Sequence, residues 1–272
     1  MTFKKYCKGN KNADLKIISL GMGVQSTAVY LMSSMKYKLP RADYAIFSDP
    51  QAEHYKTYEM LEWLLSWQKE NNGIPIVVNR DNNLYKDIIE NYKNGSRVAS
   101  IPAHTSNNGL VRRQCTEEYK IKPVIKSARD LHKLKYKQRM KPTELWLGIS
   151  TDEIQRLKES SLYNIKYFYP LIYHGMSRVD CMNFFKKNNF PVPIKSSCVF
   201  CPFHSDKFWR SIKKENGDAW KISLEVDKAI RVHPKMNEKQ YLNRQCKPLD
   251  EADLNENQTD LFIEECEGYC GL

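Results

Sequence analysis

Short runs of β-branched and apolar residues alternate along the chain with longer stretches whose apolar positions recur every three or four residues. Residues 15–19 (Leu-Lys-Ile-Ile-Ser), 44–48 and 74–79 read as buried strands, with Pro75 predicting an irregular start to the third. A fourth strand is expected over 144–150. Helical periodicity covers 26–35, opened by Ser26 and Thr27, then 55–70, 84–92, 177–188 and 205–228. A long basic helix is expected over 116–134, interrupted near Pro123, whereas 96–113 has no period and reads as loop. Strands that alternate with helices imply right-handed crossovers, hence an α/β fold with a twisted parallel sheet and flanking helices. The simplest division is one α/β domain over 1–190, followed by a segment over 191–272 with a helical extension and an acidic, cysteine-containing tail.

Charge changes this picture more than composition does. The net charge is +11, but residues 250–272 carry eight acids and no Lys or Arg. Residues 1–249 therefore hold all 43 basic residues against 24 acids, a surplus of 19. The densest stretch, 120–141, has nine Lys or Arg and one acid, Asp130, which suits a phosphate-rich partner. No apolar run approaches the roughly 20 residues that a bilayer span needs, and the basic start of the chain lacks a following apolar segment. A cytosolic protein with no membrane partner is the expectation. The 8 cysteines should then be thiols, metal ligands or redox groups in place of structural disulfides.

The first strand runs into Gly21-Met-Gly-Val-Gln-Ser-Thr27. Strand, glycine turn, hydroxyl residues and helix, in that order, can cradle a phosphate. Gly21 and Gly23 let the backbone turn tightly, the helix start offers unpaired amides, and Ser26 and Thr27 add hydroxyl donors. Neither a Gly-Lys-Ser/Thr loop nor a third glycine is present, which excludes the Walker and dinucleotide fingerprints.

This segment resembles the PP-loop of the ATP pyrophosphatases (adenine nucleotide alpha hydrolases), whose usual Ser-Gly-Gly-x-Asp-Ser falls here on 21–26, with Gly21-Met22 in place of the Ser-Gly start and Gln25 in place of the Asp. Three further segments resemble the PAPS-reductase-like branch, in the same order. They are Phe47-Ser-Asp49 through Thr57, Arg112-Arg-Gln-Cys115 through Pro123, and Leu147-Gly-Ile-Ser through Arg156 followed by Tyr169-Pro-Leu. That branch includes PAPS reductases and the DNA phosphorothioation and tRNA thiolation sulfurtransferases. The resemblance implies a Rossmann-like PP-loop fold that binds ATP with Mg2+. Ser19, Gly21, Gly23, Gln25, Ser26 and Thr27 would surround the nucleotide, Asp49 and Glu53 would hold Mg2+ or the adenosine group, and Arg156 and Lys158 would bind phosphate. Asp49 is also a candidate catalytic residue.

Cys198-Val-Phe-Cys201 has the spacing for two thiolates on one ion or cluster, and leaves zinc, iron–sulfur and a redox pair open. The resemblance adds Cys115, by analogy with relatives that hold a [4Fe-4S] cluster, and Cys181 is the candidate fourth ligand. Near the C-terminus, Cys266 and Cys270 parallel the reactive tail thiol of PAPS reductases and are candidate catalytic groups. The expected activity is AMP-forming, pyrophosphate-releasing sulfur transfer to nucleic acid, either tRNA or DNA, with a sulfur donor protein such as a cysteine desulfurase as a further partner. The alternatives are PAPS or APS reduction, or a non-catalytic nucleotide-binding module with structural zinc. The basic 120–141 stretch begins next to Cys115, so a polymer following it is expected to pass both the cysteine and the nucleotide.

Overall fold

The computed structural model describes residues 9–92, 94–97, 100–232, 234 and 236–254. The chain forms two units that interleave along the sequence. The first comprises the residues to Ser48, Lys56–Asn79 and Lys122–Ser196. The second comprises Asp49–Tyr55, Arg80–Ile121 and the residues from Ser197 on.

A five-stranded, all-parallel sheet organises the first unit. Its strands are β1 (Leu15–Ser19), β2 (Tyr44–Ser48), β3 (Ile76–Asn79), β5 (Thr143–Leu147) and β6 (Ile165–Phe168), in the order β3-β2-β1-β5-β6. The chain builds outward from β1 to β2 and β3, then returns to the other side of β1 with β5 and β6. This is a Rossmann-like, doubly wound arrangement, and its reversal point lies between β1 and β5. Ile17 pairs with Tyr44 on one side and with Leu145 on the other, and all five residues of β5 are buried. Flanking helices complete the core. Those of α1 (Val24–Ser34), α2 (Tyr55–Glu70) and α6 (Arg178–Lys187) place Tyr30, Leu64 and Phe185 in one apolar cluster with Ile18 and Phe47 of the sheet. The helix α4 (Lys122–Leu131) packs on β2 and β3, where Asn79 donates to the Ser127 hydroxyl at 3.0 Å.

In the second unit, α3 (Leu84–Asp87) continues into a π-helical turn over Ile88–Tyr92, and α7 (Asp206–Glu215) is followed by α8 (Asp218–Ile230). A two-stranded antiparallel ribbon joins β4 (His104–Thr105) to β7 (Gln240–Tyr241). Trp209, Trp220, Ile230 and Leu249 share its core with Ile88 and Phe200. Asp227 is buried and accepts the backbone N–H groups of Leu242 at 3.0 Å and Leu249 at 3.1 Å, which ties the chain after α8 to that helix.

Several elements differ from the expectation for identifiable reasons. The 205–228 stretch is two helices, because Asn216 adopts a left-handed φ of 47° and caps α7. Before Pro123, which cannot donate a helical hydrogen bond, the chain widens into a π-helical turn over Glu117–Ile121. The strand β6 and the short α5 (Pro170–Tyr173) carry too few residues to show a period. Among the described residues, no helix is long and apolar enough to cross a membrane.

Burial fixes one pH dependence. The ring of His132 lies 2.7 Å from the Thr143 hydroxyl, at the start of β5. Burial, and then the charge of Lys141, lower its pKa, and burial lowers that of His104 in the second unit. Both rings bind fewer protons folded than unfolded. The stability that they contribute is therefore present above the unfolded histidine pKa of about 6.5 and is lost as pH falls through and below it. The urea midpoint should be flat above neutrality and decline below that pH, with a shallower decline in His132→Gln.

Candidate functional site

Helix α1 begins two residues earlier than its hydroxyls suggest. Gly23 is its N-cap, and the first intrahelical bond runs from Thr27 N–H to the Gly23 carbonyl at 3.0 Å. The amides of Val24, Gln25 and Ser26 precede that bond, so they are the unsatisfied donors of the helix start. Ser26 Oγ turns back to the Gly23 carbonyl at 3.3 Å. Thr27, expected as a further donor to a ligand, is fully buried in the core, and its hydroxyl has no partner in the described structure.

The glycines act differently from the expectation. The left-handed residue of the turn is Met22, at φ 60°, between the two glycines. Gly23 is extended, at φ −91° and ψ 174°, a conformation open to any residue. A Cβ built on it would meet nothing within 4 Å. What Gly23 provides is open space directly before the three amides. Gly148, one residue past β5, has the opposite constraint. A Cβ there would lie 2.6 Å from both the N and Cα of Ser26, so only glycine lets the loop after β5 pack onto the first turn of α1.

Charged groups converge on the same turn. Gln25, which stands where the resembled motif has Asp, donates to Glu153 at 3.2 Å and accepts from Arg178 at 3.1 Å. Glu153 in turn pairs with Arg156 at 2.8 Å. Arg178 opens α6, behind the N-cap Ser177 and its capping box with Asp180. Asp152 accepts from the Ser150 hydroxyl at 3.1 Å and from the Arg178 backbone N–H. Lys158 is fixed through its backbone, since its carbonyl accepts from the Tyr169 hydroxyl at 2.7 Å. The site therefore combines three helix-start amides, open space at Gly23 and two guanidinium groups at the C-terminal end of β1 and β5. That is the reversal point of the sheet, where ligands of open α/β sheets bind.

Neither a protein-family model nor a characterised protein matches this chain.

The remaining sequence candidates belong to the second unit or to the core of the first. Asp49 and Glu53 have buried carboxylates that already face cations, Arg80 at 3.0 Å and Lys120 at 2.9 Å, and Asp49 also accepts the Gln51 N–H at 2.8 Å. Cys198 and Cys201 share a turn closed by Cys201 N–H to the Cys198 carbonyl at 3.0 Å, and Cys198 bridges to Glu53 through the backbone. Cys115 packs, with Cys198, on the apolar core of that unit. Cys181 is instead 0% exposed among the aromatic residues of α6 in the first unit, where burial pushes its pKa up to about 12. Among the described residues, no group of three or more His, Cys, Asp or Glu is arranged to hold a metal ion. Cys266 and Cys270 lie outside the described residues.

Sequence reasoning singled out the 147–156 segment without giving Gly148 or Glu153 a role, and it missed Arg178. The capping box at Ser177 was the available sign that Arg178 starts a helix.

Two glycine substitutions should separate folding from binding. Gly148→Ala forces backbone apart and should lower stability by about 1–3 kcal/mol while displacing the α1 start. Gly23→Ala should cost less than about 1 kcal/mol, as a lost glycine N-cap does. Both change the space or the position of the α1 start, and thermal melts beside phosphate titrations read stability and anion affinity separately.

Proposed function

We propose that the chain is an ATP-pyrophosphatase-type enzyme that activates a nucleic-acid acceptor for sulfur transfer. The observation that carries this reading is the open space at Gly23, directly before the α1 amides, with Arg178 bonded to Gln25 of the same turn and Arg156 joined to Gln25 through Glu153. Helix-start amides and guanidinium groups together favour a polyanion with charge spread over several oxygens. ATP fits that chemistry. An acceptor oxygen would attack the α-phosphorus and pyrophosphate would leave, and a sulfur nucleophile would then displace AMP. The two arginines would hold the departing negative charge, while Gln25 keeps Arg178 aimed at the loop. Mg2+ would enter with the nucleotide, because the nearby carboxylates Asp152 and Glu153 are engaged by Ser150, Arg178, Gln25 and Arg156.

A cysteine-bound metal centre is the second part of the proposal. The Cys198–Cys201 turn offers two thiolates and Cys115 a third in the same unit, a donor set suited to iron–sulfur or zinc. Such a centre would supply a site for carrying sulfide. The described residues do not assemble its full ligand set.

The test is pyrophosphate release from ATP in the presence of tRNA or DNA, with AMP as co-product. Arg178→Ala should reduce turnover at least tenfold, and Gln25→Ala should reduce it less, because the guanidinium remains. Sulfite release from PAPS or APS without ATP consumption would instead establish the reductase chemistry.

Metal content of anaerobically purified protein checks the second part. Single Ser substitutions at Cys115, Cys198 and Cys201 should each lower bound iron or zinc. Unchanged content in all three would remove the centre.

A further inference from the structure

The basic stretch does not present all its charge in one place. Lys133, Lys135, Lys137, Arg139 and Lys141 are all exposed, and they lie on the loop that leads from α4 into β5. That loop enters the N-terminal end of β5, whereas the Gly23 site lies past the C-terminal ends of β1 and β5. The two are at opposite edges of the sheet, separated by strands about 17 Å long. A polymer on this loop therefore does not lie on the nucleotide site, contrary to the expectation from sequence.

The loop also carries an aromatic group that burial cannot explain. Tyr136 is 89% exposed, and its ring has the Lys137 ammonium 5.5 Å from its centre. It sits at the tip of a turn held by reciprocal bonds, Lys135 N–H to the Gln138 side chain at 2.7 Å and Gln138 N–H to the Lys135 carbonyl at 3.1 Å. Arg129 braces the same turn by donating to the Lys135 carbonyl at 3.2 Å. A second ring stands on the neighbouring loop, before β6. Tyr163 is 62% exposed, with the Arg139 guanidinium 5.7 Å from its centre. The two loops are fastened together, because Asn164 donates its side-chain amide to the Met140 carbonyl at 3.0 Å and accepts Thr143 N–H at 2.8 Å.

We infer that this edge binds single-stranded nucleic acid, with Tyr136 and Tyr163 stacking unpaired bases and the five cations following the phosphates. The inference rests on the nucleic-acid acceptor proposed above and specifies its form. Exposed rings paired with cations match bases, which offer flat π-faces spaced along an anionic backbone. Duplex bases are already stacked on each other and cannot reach these rings, so an unpaired segment or loop is the fitting ligand. No acid interrupts the loop between residues 131 and 143. The site holds a stretch of polymer away from the reacting residue, so long acceptors gain from it and short ones do not.

The experiment measures binding of oligothymidylate and of a duplex of equal length to the full chain at two salt concentrations. Tyr136→Ala and Tyr163→Ala should each weaken single-strand binding about tenfold or more, with Tyr→Phe at either position retaining it. Duplex binding should be weaker and indifferent to both rings. The log–log salt slope for the single strand should be near −3, as about four to five neutralised phosphates require, and shallower after Lys133, Lys135 and Lys137 are changed to Glu. Single-strand binding unaffected by either Ala variant, or equal binding of duplex, overturns the inference and leaves a nucleic-acid acceptor standing. Absence of any polynucleotide binding at low salt overturns both.

Discussion

Parallel pairing of β1 with β5 is the constraint on which the first unit depends. These strands are distant in sequence, yet they match over all five residues of each, from Leu15 with Thr143 to Ser19 with Leu147. Parallel strands deliver their following loops to the same end of a sheet. The Gly-rich turn after β1 and the Gly148 loop after β5 therefore meet by necessity. Once they meet, only a residue without a Cβ can occupy position 148, because the backbone of Ser26 fills the space. The polar network of Gln25, Glu153, Arg156 and Arg178 follows from that contact. It is half-buried, and it holds a guanidinium group bonded to Gln25 beside the helix start, with Glu153 shared between Gln25 and Arg156.

The second unit relies on a different device, carboxylates buried with partners. Asp227 gathers two backbone amides from the segment after α8, and Asp206 pairs with Arg244 at 2.7 Å. Asp49 and Glu53 each face a cation. Removing one partner from such pairs leaves a buried charge, which costs far more than the pair contributes when intact. These acids give definite positions to segments with little regular secondary structure, including the Cys198–Cys201 turn beside the Glu53 backbone bridge.

How much of this could be read from the chain depends on the range of the interaction. The strands over 15–19 and 44–48 and the helix over 55–70 have the bounds their periodicity predicts, because burial of one face is a local pattern. Helix starts were less legible. Ser26 and Thr27 look like caps, yet Gly23 takes that role and Thr27 turns into the core. The candidate site was half visible: its loop is contiguous in sequence, while Gly148 and Arg178 arrive from residues far along the chain. The Gln25 substitution, which reads as a defect in the resembled motif, is the residue that joins Glu153 to Arg178. Cysteine spacing said nothing about which unit each thiol would occupy, and Cys181 is in the apolar core of the first while Cys115, Cys198 and Cys201 belong to the second.

The interleaving of the two units has a consequence for how the chain is made. It passes from one unit to the other after Ser48, Tyr55, Asn79, Ile121 and Ser196. Every residue of the sheet unit has been synthesised once Ser196 has emerged, but at that moment the second unit exists only as two segments awaiting α7, α8 and β7. Its Phe200, Trp209, Trp220 and Leu249 complete a core that Ile88 and Tyr119 cannot close alone. Domains generally fold as units and in order of emergence during translation. The half-made second unit must therefore hold its apolar residues out of aggregation until the last stretch arrives. Neither unit can be cut out as a single linear fragment, because each is built from three separate stretches of the chain.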